Sequence, residues 1–188
     1  LLALMPAWGY ATAASTLVGQ SLGADDPKEA TAYGWQSLGV ALAVQLAVAL
    51  LLVVFARPIV SLFGTAYPDL AATFVRVFGL LVAGFSMSRT MRGSLRGAGD
   101  TRWPLYGTVL ASYCYRLPVA ALALPTAFVI PIPVIGVSFS PGLGLGLPAI
   151  FAALIGDFYL KAAVNVGRFR SGKWRAVARR AGVGRTDK

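Results

Sequence analysis

The chain contains no histidine and only one cysteine among its 188 residues. A single cysteine excludes an internal disulfide framework and a paired-cysteine redox site. Without histidine, the ordinary zinc, haem and Ser-His-Asp sites are excluded as well. We therefore predict no metal site, no catalytic residue and no bound cofactor.

Charge is also scarce, and it is unevenly divided between the two signs. Charged residues make up 13% of the chain, whereas ordinary soluble domains carry about 25%. The 17 basic and 7 acidic residues give a formal charge of +10, and 57% of the residues are apolar, with a mean hydropathy of +0.69. This chain is too apolar for disorder and for a single soluble core. The composition predicts an integral membrane protein.

Several long stretches carry no charge at all. They are residues 1–24, 30–56, 77–88, 103–115 and 117–156. A bilayer core about 30 Å thick is crossed by roughly 20 helical residues, and the stretches lack the alternation of a membrane β-barrel. We predict an all-α membrane protein with a basic tail at 169–188. Its five transmembrane helices are expected at about 1–23, 28–56, 67–95, 103–125 and 143–168.

Short polar motifs mark the expected helix ends. Asp26 followed by Pro27 is typical of an N-cap with proline in the first turn. Asp100 and Thr101 offer a second N-cap before the fourth helix. Pro118 lies inside that helix and is a candidate kink.

Lysine and arginine set the expected orientation, because they concentrate on the cytoplasmic side. The segment from residue 168 onward supplies +7 of the net charge. We predict a multi-pass protein of the plasma or inner membrane with its C-terminus in the cytoplasm. Trp35, Trp103 and Trp174 would then form an aromatic belt at the inner interface.

A basic tail can also bind nucleic acid, but after five spans we expect it to anchor on anionic lipid, with no nucleic-acid partner.

A few ionisable side chains fall within the predicted spans. Arg116 follows Trp103 by 13 residues, which places it roughly 20 Å along its helix, near the membrane midplane. Tyr113 lies one turn earlier. Asp157 and Lys161 are four residues apart, so they can form an ion pair on one helix face. Charge at this depth marks a candidate substrate or ion pathway, although Asp157 has the alternative role of an ion pair that anchors its helix.

Weakly polar residues on the first two helices are the second set of pathway candidates. Ser15, Thr16 and Gln45 are expected on a side that lipid does not favour. Such side chains either line a cavity or bridge helices by hydrogen bonds, and both alternatives stay open.

Two motifs resemble a known family. Residues 13–24 read AASTLVGQSLGA, and residues 93–104 read GSLRGAGDTRWP. They resemble the helix-turn signature and the cytoplasmic loop of the multidrug and toxic compound extrusion (MATE) family. The matching signature residues are Gly19, Gln20 and Gly23. The matching loop, expected to act as a rigid hinge, contains Arg96, Gly97, Gly99, Asp100, Thr101 and Arg102.

The resemblance implies part of a twelve-helix, two-lobe transporter. It places the chain at helices 8–12, in the C-terminal lobe, with the N-terminal lobe as a missing partner. Such antiporters export small, often cationic, amphipathic compounds in exchange for H⁺ or Na⁺ by alternating access. Sodium-coupled members often carry an acid where this chain has Phe85, Ser86 and Met87. The coupling-ion site is therefore expected in the missing lobe.

Other functions remain as alternatives. A lipid-linked oligosaccharide flippase of the same superfamily would prefer a strongly cationic cavity, whereas Arg116 is the only deep cation that the sequence predicts, so the sequence favours the exporter over the flippase. A nonfunctional membrane fragment is a further alternative. An intramembrane enzyme would require clustered histidines, paired aspartates or an activated nucleophile at membrane depth, which this sequence lacks.

Overall fold

A computed structural model shows a bundle of helices. It describes residues 2–125, 130–132, 137–139 and 142–181. The first half contains α1, α2, α3 and α4, at Met5–Gly23, Pro27–Val54, Ala56–Ser61 and Pro68–Gly97, after a 3-10 turn at Leu2–Leu4. The second half contains α5 at Arg102–Val109, a π-helical segment at Leu110–Arg116, α6 at Leu117–Ala121, α7 at Gly146–Arg170 and α8 at Trp174–Arg180.

The helical membrane character predicted from the sequence is confirmed. Among the described residues, three helices are long and apolar enough to cross a bilayer, namely α2, α4 and α7. They match the second, third and fifth predicted spans. The first predicted span corresponds to α1, which has 19 residues, and the fourth is divided among α5, the π-helical segment and α6. The five-span topology therefore stays a prediction.

The connection before α7 departs from a purely helical fold. Strand β1 (Ile130–Ile132) pairs antiparallel with β2 (Val137–Phe139), with Ile130 opposite Phe139. This hairpin lies in the long charge-free stretch, where prolines and glycines interrupt the helical pattern.

Helix α4 lies at the centre of the bundle and packs against α1, α2 and α7. Large apolar side chains such as Leu50, Leu62 and Leu80 are exposed, whereas polar residues on α4 such as Ser86 and Ser94 are fully buried. This arrangement, with apolar side chains outside and polar side chains inside, is expected where hydrocarbon surrounds a helical bundle.

The tail after α7 is partly folded onto the bundle. Trp174 of α8 is fully buried, stacks on Phe169 at a ring distance of 5.1 Å, and donates its indole N–H to the Phe169 carbonyl oxygen. The Trp174 side chain therefore packs inside the bundle, and its position near the inner interface stays a prediction. Trp35 meets Phe169 edge-on, at 5.5 Å, so Phe169 of α7 contacts aromatic residues of both α2 and α8.

The predicted caps have different outcomes. Asp26 caps α2 by accepting backbone N–H bonds from Lys28 and Glu29, as predicted. Thr101 precedes α5 without a side-chain cap, and Asp100 forms a long-range ion pair, described below, so the predicted cap there is wrong. The irregularity expected near Pro118 is the π-helical segment that ends two residues before it.

Candidate functional site

A buried charge cluster lies between α7 and the π-helical segment. The Asp157 side chain is completely buried, and the Lys161 Nζ donates to its Oδ2 at 2.7 Å. This confirms the ion pair predicted from their four-residue spacing. The Arg116 Nη1 lies 3.9 Å from the same oxygen. One acid and two bases thus share a site about 17 Å along α7 from its first residue, close to the middle of the helix.

The cations of the cluster compensate only one oxygen of the buried Asp157 carboxylate. A buried carboxylate is costly unless cations or hydrogen-bond donors face it. Within the described part of the chain, the Asp157 Oδ1 has no hydrogen-bond partner. The Arg116 side chain is 44% exposed, so it connects the buried Asp157 to the surface of the bundle.

Arg116 lies where the helix changes its winding. It is the last residue of the π-helical segment, and short π-helical insertions occur frequently at functional sites. Tyr113, three residues earlier, is 65% exposed. Both candidates therefore lie on the outer surface of this bundle, and Arg116 also reaches the buried acid.

The pathway candidates on α1 and α2, Thr16 and Gln45, lie in different surroundings. Thr16 is exposed, and its hydroxyl donates to the Thr12 carbonyl oxygen. Gln45 is fully buried, and its Nε2 donates to the Ala3 carbonyl oxygen at 2.6 Å. Of the two alternatives open for Gln45, cavity lining is wrong for the described chain, because the start of the chain covers the side chain and bonds to it.

The loop after α4 is tied to α7 by a second buried ion pair. The Arg168 Nε donates to the Asp100 Oδ2 at 2.8 Å, and the two side chains are 15% and 4% exposed. Gly99 has a φ of +76°, a left-handed conformation that favours glycine. By contrast, Arg96, Thr101 and Arg102 are exposed.

The signature glycines pack helices together. A Cβ on Gly97 would lie well under 3.0 Å from the Ser15 carbonyl oxygen, and a Cβ on Gly19 would lie 3.4 Å from the Gly97 oxygen. Gly97 is helical, so it is close packing rather than a left-handed backbone angle that calls for glycine here. Gly23 ends α1, and Gln20 accepts a backbone bond from Ala24 through its carbonyl oxygen.

Four arginines form a further basic surface, which we call the arginine groove: Arg89, Arg92, Arg96 and Arg102. Two adjoining cavities between α1, α4 and α5 connect them. The Arg89 guanidinium lies 4.0 Å from the Trp8 ring centre, and Arg92 donates to the Thr108 hydroxyl. Arg89 and Arg92 are half-buried.

Comparison with known proteins identifies the family. The family model named MatE matches residues 1–122. The chain belongs to the MatE family. The resemblance deduced from residues 13–24 and 93–104 is thus confirmed.

Two curated relatives extend the comparison beyond the region of the MatE match. The probable multidrug resistance protein NorM of Thermotoga maritima is 30% identical over 187 residues, which are 97% of this chain and 37% of NorM. The uncharacterized transporter YisQ of Bacillus subtilis is 28% identical over 161 residues, covering 84% of this chain and 32% of YisQ. The MatE chain therefore spans about a third of the length of these relatives. No solved structure matches it.

Sequence reasoning missed three functional features of this MatE chain. It placed Arg89 and Arg92 inside the predicted span at 67–95 but did not recognise that they share one face of that helix with Arg96. Their spacing of three residues, followed by four to Arg96, was the available signal for one helix face. The contacts of Arg116 with Asp157 and of Arg168 with Asp100 link residues far apart in sequence, and no local pattern indicated them. In the described ranges, no group of three or more Asp, Glu or Cys residues is arranged to hold a metal ion.

Proposed function

We propose that this chain forms most of the C-terminal lobe, helices 8–12, of a two-lobe secondary antiporter. The whole protein would export small, often cationic, amphipathic compounds in exchange for H⁺ or Na⁺. The observation that carries the proposal is the buried Asp157 cluster at mid-helix depth in a MatE chain. Intramembrane ionisable residues are costly and commonly mark ion or substrate pathways.

The topology completes the proposal. We infer that α1 and the α5 to α6 rod cross the membrane together with α2, α4 and α7, giving five spans. The C-terminus would then lie in the cytoplasm of a cell whose plasma or inner membrane holds the protein. The basic residues at the end of α7 and on α8, including Arg170, Lys173 and Arg179, support this orientation.

Arg116 is the proposed moving part of the pathway. It is half-exposed, lies 3.9 Å from Asp157, and ends the π-helical segment. Lys161 holds Asp157 from within the same helix. A small change in the winding of the π-helical segment would alter the distance between Arg116 and Asp157, which offers a way to couple helix movement to charge.

A second candidate function is a flippase for a lipid-linked, anionic oligosaccharide. The observation in its favour is the arginine groove, which adds half-buried cations to Arg116. The named multidrug relative favours the exporter. A nonfunctional fragment is the remaining alternative, and transport assays separate all three.

The test is export of ethidium, a cationic dye, from efflux-deficient cells. The cells would express this chain, the N-terminal half of the full-length transporter, or both. We expect export only when both halves are present, because a cleft between lobes needs both walls. Ion-driven export by this chain alone would contradict the two-lobe proposal.

Charge variants of the complete protein test the pathway. Asp157→Asn should lower ethidium export strongly at normal expression. Asp69→Asn is the matched control, because Asp69 pairs with Arg57 on the exposed surface, where the two side chains are 85% and 73% exposed. Equal export by the two variants would remove Asp157 from the pathway.

A further inference from the structure

The gap between α1 and α5 exposes a basic face of the central helix. Helix α4 packs against α1, α2 and α7. In the gap between α1 and α5 it presents Arg89, Arg92 and Arg96, which the spacing of three and four residues places on one helix face. A basic face on the central helix of a membrane bundle calls for a specific explanation, because cations inside a bilayer are costly.

These arginines are held by neutral partners. Arg89 lies 4.0 Å from the ring centre of Trp8 and 5.0 Å from that of Phe85. Arg92 donates to the Thr108 hydroxyl, which itself donates to the Pro104 carbonyl oxygen at 2.8 Å. These contacts orient the guanidinium groups of Arg89 and Arg92, and neutral partners do not compensate their positive charge.

No described carboxylate neutralises the groove. The ion pairs of the described residues join Asp69 to Arg57, Asp100 to Arg168, and Asp157 to Lys161 and Arg116. None of them includes an arginine of the groove. In addition, the Arg92 Nε is buried without a hydrogen-bond partner in the described part of the chain. Like charges at neighbouring positions of a helix repel one another, so an anion would stabilise this surface.

The groove has the size and lining of a small-molecule site. One cavity has a volume of about 280 Å³ and is lined by Trp8, Ala11 and Thr12 beside the arginines. The adjoining cavity has a volume of about 530 Å³ and is lined by Leu105 and Thr108, among others. Arg92 and Arg96 line both cavities. Apolar walls with a few convergent polar groups are typical of ligand pockets.

We propose that the arginine groove binds the acid group of a soluble, amphipathic organic anion. Arg92 and Arg96 would hold a carboxylate or phosphate, because guanidinium groups bind these groups through paired hydrogen bonds. The apolar body of the ligand would lie along Ala11 and Leu105. This inference rests on the proposed transport function, and it assigns the acid group of such substrates to the arginine groove.

The depth of the groove favours a solute over a lipid headgroup. Arg96 lies next to the end of α4, whereas Arg89 lies about 10 Å deeper along the helix. Lipid headgroups attract basic residues at the membrane surface. A row of cations that continues inward suits a ligand that enters a water-filled cleft from the cytoplasmic end.

The test compares two dyes that share a xanthene core and differ in charge. Carboxyfluorescein is anionic, and tetramethylrhodamine methyl ester is cationic. Fluorescence anisotropy would measure the binding of each dye to the complete transporter in neutral detergent micelles. Arg96→Gln and the Arg92→Gln, Arg96→Gln double variant test the groove, and Arg76→Gln is the matched control, because Arg76 is an exposed arginine on the same helix.

We expect carboxyfluorescein to bind the wild type and the Arg76→Gln variant equally. Its affinity should fall about tenfold for each arginine removed, because each loses a charge-assisted hydrogen bond. Millimolar inorganic phosphate should compete with it, and binding of the cationic dye should not change. If the double variant does not fold, Arg96→Gln alone decides, because its side chain is exposed and its loss leaves no cavity.

Three outcomes would overturn the inference. They are equal carboxyfluorescein affinity in the wild type and the groove variants, an equal loss of both dyes, and displacement by phosphatidylglycerol without displacement by phosphate. A wild type that exports ethidium but does not bind carboxyfluorescein would retain the transport function and refute the anion site. A wild type that binds carboxyfluorescein but exports no dye would refute the transport function and retain the anion site.

Discussion

The contact between α1 and α4 gives the sharpest prediction about stability. Gly93 and Gly97 are four residues apart on α4, and a Cβ at either position would lie well under 3.0 Å from a carbonyl oxygen of α1, at Ala11 and Ser15 respectively. This is the small-residue spacing by which membrane helices approach closely. Because the opposing atoms belong to the backbone, a rotamer change cannot relieve the clash.

We predict that Gly97→Ala destabilises the bundle by about 2 kcal/mol, within the range of roughly 1–3 kcal/mol for overpacking. To restore ordinary van der Waals contact at about 3.5 Å, α1 must move away by about 1 Å along the whole contact. For a chain of this size, 2 kcal/mol corresponds to a Tm lower by roughly 4–8 °C. The assay is a thermal melt in detergent micelles, monitored by size-exclusion chromatography of a fluorescent fusion.

Gly9→Ala is the matched control for this prediction. Gly9 lies on α1, and no atom lies within 4 Å of the position of an added Cβ. Alanine has a higher helix propensity than glycine, by up to about 1 kcal/mol. The Tm should therefore stay the same or rise. If Gly97→Ala melts at the same temperature as Gly9→Ala, the close-packing argument for α1 and α4 is refuted.

Three further predictions concern the two ends of the bundle. Asp100→Ala should lower the free energy of unfolding by about 3–5 kcal/mol, because it leaves Arg168 buried without its partner. In thermal melts, the Arg168→Ala, Asp100→Ala double variant should lose less stability than the sum of the losses of the two single variants. Losses that simply add would contradict the ion pair. Trp174→Ala should release α8 and speed tryptic cleavage of the tail, whereas Trp174→Phe should retain most of the protection; equal cleavage of wild type and Trp174→Ala would contradict the docking of α8. In a protein whose native cysteine is replaced by serine, a cysteine introduced at Leu143 should react with an impermeant maleimide in intact cells, and a cysteine introduced at Arg180 should not react. The reverse labelling pattern would contradict the proposed orientation.

Local patterns predicted the helices well and their irregularities poorly. The cap at Asp26 followed from the residues next to the start of α2. The π-helical segment depends on how the chain accommodates Pro118 while packing on α7, which hydropathy does not encode. The docking of α8 through Trp174 likewise depends on Phe169 and on helices distant in sequence.

The same distinction applies to the candidate site. The Asp157 and Lys161 pair was predictable because both residues lie on one face of one helix. Burial of Gln45 was not predictable, because it depends on a hydrogen bond to Ala3, 42 residues away. The spacing of Arg89, Arg92 and Arg96 was visible in the sequence, but Arg102 belongs to α5, and only the approach of α5 to α4 brings it into the groove.

The distribution of charge among the helices supports an external partner for α4. Both buried acids of the described chain, Asp100 and Asp157, have their closest cation on α7, at Arg168 and Lys161. Helix α7 thus neutralises the two buried acids, and the ion pairs of the described residues include no arginine of the groove. Because uncompensated cations at this depth are costly, the compensating anion must come from outside the described residues. On the proposed function, a cleft that admits an acidic ligand would supply that anion reversibly, whereas a permanent internal salt bridge would close the gap between α1 and α5.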